Sequence, residues 1–255
     1  SECEFQVVLL NCDTLPGGSD GGGPDSDPQE DPPTCAKCEC ESDEEESSTA
    51  VANVGENCLA NTLTGNFLLQ PPGLKIESEG PPLDTRLSYN SGKTALNHGF
   101  GNGWTFIYNV KIEQENGTDD LVVRRGDGRR DVFTYNSGSG EYEAPKGVFD
   151  ELEEYQPGKF RLTTKHFTRY YFDDNSHSRL TKKVYATGNA LTIAYTDSLP
   201  TLLTDATGRT LELEYQNGLL SKITDANEAA TRVFEYEYDG NDNLVKIINP
   251  AGCLL

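Results

Sequence analysis

This sequence predicts an all-β fold: antiparallel hairpins forming one continuous curled sheet, with an extended N-terminal arm. Three observations carry the prediction. Apolar and polar residues alternate with period two from about residue 51 onward. Clusters of Gly, Asn and Asp punctuate the alternating runs. The last third of the chain repeats itself every 20 residues. Alternation places one set of side chains on each face of a strand, and the punctuating residues are those that tolerate tight turns. No amphipathic helix exceeds three turns. The best attempt, Phe149–Tyr155, is short and is followed by Pro157.

The arm comes first. Phe5-Gln-Val-Val-Leu-Leu10 reads as an isolated short strand, so residues 1–12 form the first segment. Residues 13–34 then carry five glycines and five prolines, and residues 13–46 hold twelve acids against one base, Lys37. Such a composition buries too little apolar surface to offset ordering entropy, which predicts an acidic, solvated linker over 13–50. The seven cysteines are Cys3, Cys12, Cys35, Cys38, Cys40, Cys58 and Cys253, six of them within the first 58 residues. They predict two or three disulfides in an oxidising compartment. A metal site on Cys35, Cys38 and Cys40 is the alternative, but the second ligand pair of a tetrahedral zinc site is missing. The odd count leaves Cys253 as the candidate for a free thiol or an intermolecular bond. The chain contains no methionine, which leads us to expect a processed or excised product, with a removed export leader.

Residues 51–185 read as an opening β domain. Trp104–Ile112 reads as one strand. Leu121–Arg124 and Asp131–Tyr135 flank Gly126-Asp-Gly128 as a hairpin, and Phe160–Thr164 with Phe167–Phe172 reads as another pair. Residues 186–255 hold the repeat. Ala186, Thr187, Gly188, Leu191, Tyr195, Leu199, Thr204 and Asp205 each recur 20 positions later. A third copy follows with a four-residue insertion. In Leu211-Glu-Leu-Glu-Tyr215 the leucines and the tyrosine share one face, and Phe234-Glu-Tyr-Glu-Tyr238 repeats the pattern. A lone hairpin cannot bury such a face, so consecutive hairpins must pair edge to edge. The expected repeat core is Leu191, Tyr195, Leu211, Leu213, Tyr215, Phe234, Tyr236, Tyr238 and Leu244. The tyrosine stripe is read as packing, with a carbohydrate-stacking platform as the alternative.

The net charge of −21 argues against binding nucleic acid or anionic membrane surfaces. No apolar run approaches the ~20 residues that span a bilayer as a helix. With only His98, His166 and His177 available, and no Gly-x-Ser-x-Gly, no catalytic residue, cofactor or metal site is predicted. Arg86, Arg124, Arg125, Arg129 and Arg130 are read as ion pairs before a phosphate or carboxylate site. Asp119, Asp120 and Asp127 lack the loop spacing of a calcium site. Asn116-Gly-Thr118 is a glycosylation sequon in a polar turn.

Tyr238-Asp239 followed by Asn243-Leu244, on a hairpin period of 20 residues, resembles the RHS/YD-repeat proteins. Leu63-Thr-Gly-Asn-Phe-Leu-Leu69, Arg86-Leu-Ser-Tyr-Asn-Ser91, Gly99-Phe-Gly-Asn-Gly-Trp104 and Gly126-Asp-Gly-Arg-Arg-Asp-Val-Phe133 resemble the blocks that open the repeat array in that family. The resemblance covers about residues 50–252. It implies an exported β-sheet that spirals into a shell, as in polymorphic toxins, toxin-complex components and teneurins. In the toxins the shell encloses a C-terminal toxic domain released near an Asp-Pro-x-Gly motif. Asn249-Pro-Ala-Gly252 is similar to that motif, with Asn for Asp.

Two roles follow. The first is an extracellular structural module that assembles with itself head to tail. Phe5–Leu10 would add to a neighbour's sheet, and Cys253 would lock the contact. The second is the N-terminal part of a toxin-encapsulating shell or an adhesin. Both place the chain in the secreted or cell-surface compartment, with glycan attachment at Asn116 open.

Overall fold

The computed structural model describes residues 51–251, apart from 56–57, 62–65, 72, 74, 77–81, 174–177, 226 and 228–230. The expected Phe5–Leu10 strand, the acidic linker, and Cys3, Cys12, Cys35, Cys38, Cys40 and Cys253 lie outside the described residues. Cys58 lies on a strand whose side chains are likewise outside them.

The described chain is all β apart from one short 3-10 turn, Ser91–Lys93. Strands are numbered along the sequence. The first part comprises β1 (Val51–Gly55), β2 (Cys58–Asn61), β3 (Asn66–Leu69), the short pair β4 (Lys75–Ile76) and β5 (Leu83–Asp84), β6 (Leu87–Asn90) and β7 (Trp104–Phe106). β1, β2, β3, β6 and β7 make a five-stranded antiparallel sheet in that order.

A second, 14-stranded sheet runs in strict sequence order. It starts with β8 (Lys111–Gln114), β9 (Leu121–Arg124), β10 (Arg130–Asn136), β11 (Glu141–Glu143) and β12 (Glu151–Gln156). It continues with β13 (Lys159–Thr163), β14 (Arg169–Phe172), β15 (Lys182–Val184), β16 (Ala190–Thr196) and β17 (Leu199–Thr204). It ends with β18 (Thr210–Gln216), β19 (Leu219–Asp225), β20 (Arg232–Tyr238) and β21 (Leu244–Ile248). Each strand pairs antiparallel with the next, so the continuous hairpin sheet read from the sequence is present. The weak helical pattern over Phe149–Tyr155 falls largely on β12, where Leu152 is buried and its neighbours Glu151 and Glu153 are exposed.

The sheet curls back on its own start. Lys111 of β8 forms a bridge with Arg179, the Ile112 N–H donates to the Ser178 carbonyl at 2.9 Å, and the Leu180 N–H donates to the Val110 carbonyl at 2.9 Å. Residues 178–180 lead directly into β15. The outer edge of β8 is therefore sealed by the chain between β14 and β15. Phe133, Leu152, Leu162, Phe172 and Leu180 belong to the continuous apolar core. A strand edge left open costs hydrogen bonds or invites aggregation, and this closure removes one of the two edges.

One expectation is corrected. Trp104–Ile112 is two strands in two different sheets. Trp104, Thr105 and Phe106 are all buried, so the two-faced alternation that the strand reading needs is absent there. The chain turns after Phe106, with the Asn109 N–H bonded to the Phe106 carbonyl at 2.8 Å. Tyr108 then points inward, its hydroxyl accepting from the Asp84 N–H at 3.1 Å. Gly126 makes the corner possible, because a Cβ there would lie 2.1 Å from the Ile107 carbonyl oxygen.

Candidate functional site

One five-residue turn recurs where β15 meets β16, β17 meets β18 and β20 meets β21. In Tyr185–Asn189, Asp205–Arg209 and Asp239–Asn243 the first N–H bonds to the fifth carbonyl, at 2.9 to 3.0 Å. The fourth residue takes a left-handed conformation, Gly208 at φ +85° and Asp242 at φ +63°. Glycine adopts this at no steric cost, and a short polar side chain is the next best choice. In the second and third turns the leading aspartate fixes the turn from inside. The Asp205 Oδ1 accepts from the Thr207 N–H and hydroxyl, both at 2.8 Å, and from the Arg209 N–H at 2.9 Å. Asp239 repeats this with the N–H groups of Asn241 and Asn243. Burial works against the Asp205 charge, yet the bonds from Thr207 and Arg209 hold its carboxyl below the usual range. Asp225 is fully buried, and burial is likewise outweighed by bonds from Asn227 and Arg232.

The inner face carries the tyrosines. Leu191, Leu211 and Leu213 are buried, as are Phe234, Tyr236 and Leu244, while Tyr195, Tyr215 and Tyr238 pack partly buried against them. The Tyr195 hydroxyl donates to the Leu180 carbonyl at 2.8 Å, and the Tyr215 hydroxyl to the Pro200 carbonyl at 2.9 Å. The same clasp thus recurs 20 residues on, each tyrosine holding the backbone of the previous hairpin. The buried Tyr238 hydroxyl has no hydrogen-bond partner among the described residues.

A glycine loop from the first part of the chain covers this face. The Leu220 N–H donates to the Gly99 carbonyl at 2.7 Å, and the Asn102 N–H to the Asp242 carbonyl at 3.0 Å. The Asn102 side chain also donates to the Asn241 carbonyl at 2.6 Å. Between them Phe100, 0% exposed, stacks on Phe106 and meets the edge of Tyr215. The arrangement can clamp successive hairpins to one another and to the opening sheet. It presents no nucleophile beside a base.

The arginines singled out from the sequence are all ion-paired. Arg86 meets Asp84 at 2.7 Å, Arg124 meets Glu113, Arg130 meets Glu115, and Arg129 meets Asp131 at 3.2 Å. Arg125 bridges Asp131 at 2.8 Å and Asp150 at 2.7 Å. Asp120 accepts from the Tyr135 N–H, and Asp127 caps its own turn through the Arg129 N–H. No group of three metal-ligating side chains occurs among the described residues. Asn116 is exposed at the turn between β8 and β9. The loop carbonyls and amides that hold the inner face escaped sequence reading, because backbone partners leave no residue-type signal. The run of glycines at 99, 101 and 103 was their one trace.

Comparison with known proteins gives two family matches. A domain of unknown function (DUF6531) covers residues 59–133, which include the glycine loop, and an RHS Repeat covers residues 216–252. The tRNA3(Ser)-specific nuclease WapA of Bacillus spizizenii is 32% identical over 137 residues, and the tRNA nuclease WapA of Bacillus subtilis (strain 168) is 31% identical over the same length. The match takes in 54% of this chain but spans only 6% of each relative. These names narrow the expectation of a protein without enzymatic role: the relatives are named as enzymes, over a match that leaves most of their length untouched.

Proposed function

The chain belongs to the RHS-repeat family, and from that premise we propose that it forms the opening segment of an RHS-type shell in an exported toxin whose enzymatic activity lies outside these residues. One observation carries the reading. The long sheet is sealed at its first edge by residues 178–180 and has no partner on the outer edge of β21 among the described residues. With that first edge sealed, a further hairpin can add to this sheet only beside β21, as a shell built strand by strand requires. On β21, Val245 is 40% exposed. No helix among the described residues is long and apolar enough to cross a membrane, which says nothing of strands.

Electron cryomicroscopy of the longer protein that carries this segment tests the reading. The expected image has β21 paired on its outer edge with the next hairpin. A free β21, with this segment standing apart from any shell, overturns it. The nuclease named in the relatives is assigned elsewhere because a net charge of −21 repels a phosphate backbone. The purified chain should leave tRNA uncut, and cleavage would reverse that assignment.

A second reading uses the same open edge. Phe5–Leu10 of another copy adds to β21, and Cys253 bonds to Cys3 or Cys12 of that copy. Fibres that vanish when residues 1–34 are removed support it, and assembly that survives the deletion excludes it. Export, disulfides among the seven cysteines and a glycan at the exposed Asn116 accompany both readings. Intact mass with and without reductant reports the last two.

A further inference from the structure

We propose that a partly enclosed cavity at the seam between the two sheets binds a single tetrahedral oxyanion of the phosphate class. Lys93, His98, Lys111, Asn109, Arg124 and Arg125 supply its polar lining, and the volume is about 40 Å³. On that measure it holds about three water molecules, the size of one small oxyanion. Trp104 and Leu96 are its apolar lining residues.

The charge pattern is the first argument. The protein carries twice as many acids as bases, 42 against 21, yet Lys93, Lys111, Arg124 and Arg125 all line this one cavity, the last three paired with the carboxylates Glu113, Asp131 and Asp150. The surplus positive charge rests on Lys93 and on the Lys111–Arg124 pair, which shares one carboxylate, and a bound anion offsets it.

The register is the second. Lys111 on β8 and Arg124 on β9 are direct Cα partners. Like charges placed opposite each other in an antiparallel pair destabilise it. A single carboxylate, Glu113, serves both, meeting Lys111 at 2.6 Å and also bonding Arg124. The pair therefore keeps an excess positive charge. Arg125 is neutralised by Asp131 and Asp150, so it shapes the wall without adding to that surplus. Lys93 stands on the exposed 3-10 turn at the cavity's edge.

His98 reports the field. Burial lowers its pKa first, and the charges of Lys111 and Arg124 lower it further, with Glu113 opposing. A neutral imidazole retains one N–H to donate to an anion. Because coupling is reciprocal, an anion that fills the cavity must raise the His98 pKa by the same free energy with which protonation of His98 strengthens binding.

The test uses inorganic phosphate added to the full chain at constant ionic strength, with chloride as the control. Calorimetry should show saturable binding, and NMR should show the His98 pKa rising. Lys93→Gln, on an exposed turn, should weaken binding at least threefold without changing the circular dichroism. Lys93→Gln with Lys111→Gln should weaken it at least tenfold. A nucleoside monophosphate distinguishes the source: equal binding identifies a terminal phosphoryl group on a larger ligand, and selective binding of inorganic phosphate identifies the free ion. Binding no stronger than that of chloride, a His98 pKa that does not move, or equal affinity in the double variant overturns the proposal.

Discussion

Tyr215 and Tyr238 occupy matching positions in successive hairpins and differ in one hydrogen bond. The Tyr215 hydroxyl is bonded to the Pro200 carbonyl, and the buried Tyr238 hydroxyl is unpartnered among the described residues. A net intramolecular hydrogen bond is worth about 1 kcal/mol, while an unsatisfied buried hydroxyl is itself a cost. Tyr215→Phe should therefore lower stability by about 1 kcal/mol, whereas Tyr238→Phe should be neutral or stabilising. Denaturant melts of the two variants check this, and equal losses would show that the clasp carries no energy. Phe167 offers a second residue-scale test. It sits at φ +61° and is 68% exposed, so its backbone is strained and its packing slight. Left-handed backbone costs a non-glycine residue about 1–2 kcal/mol. Phe167→Gly should raise the midpoint of urea unfolding by the equivalent of about 1 kcal/mol.

The glycine loop is the element on which the two sheets depend. Gly101 is at φ +97°, and a Cβ there would lie 3.2 Å from the Asp242 carbonyl oxygen and 3.0 Å from the Tyr238 ring. Gly101→Ala should destabilise the protein by about 1–3 kcal/mol, with backbone strain as the cause. Phe100→Ala empties a fully buried site and should cost about 3–5 kcal/mol. Hydrogen exchange should place the larger loss on β18–β21, where the loop docks. Exchange that accelerates equally in β10–β13 would argue against a local clamp. At this scale the hairpins were legible in the sequence, because Leu211-Glu-Leu-Glu-Tyr215 writes its two faces in alternate letters. The break at Phe106 was not, because Trp104, Thr105 and Phe106 are buried on both faces and their apolar letters continue a strand-like pattern.

For the molecule as a whole, pH separates the buried groups by sign. Burial pushes up the phenols of Tyr108, Tyr185, Tyr215, Tyr236 and Tyr238. Their stabilising contribution is complete below the ordinary tyrosine value of 10 and is lost as pH rises beyond it. Lys183 lies against the rings of Tyr170 and Tyr185, and burial lowers its pKa to about 8. The folded state releases that proton first, so this group adds stability as pH climbs from about 8 toward 10.5. The carboxyls of Asp205 and Asp225 are held below the ordinary range, so their contribution is present above pH 4 and falls away below it. Denaturant midpoints against pH should show a small rise above 8 and a steep fall above 10. Lys183→Met should abolish the rise and leave the fall.

Period-two alternation, turn residues at fixed offsets and a 20-residue repeat determined by themselves that this chain makes a hairpin sheet with a sticky face, because those signals are local and each hairpin contains its own. Where that sheet ends was decided only in three dimensions. The seal of β8 by residues 178–180, the glycine loop across the tyrosines and the cations gathered around His98 all join segments far apart in sequence. The first two do so largely through backbone groups, which every residue carries and no residue type announces.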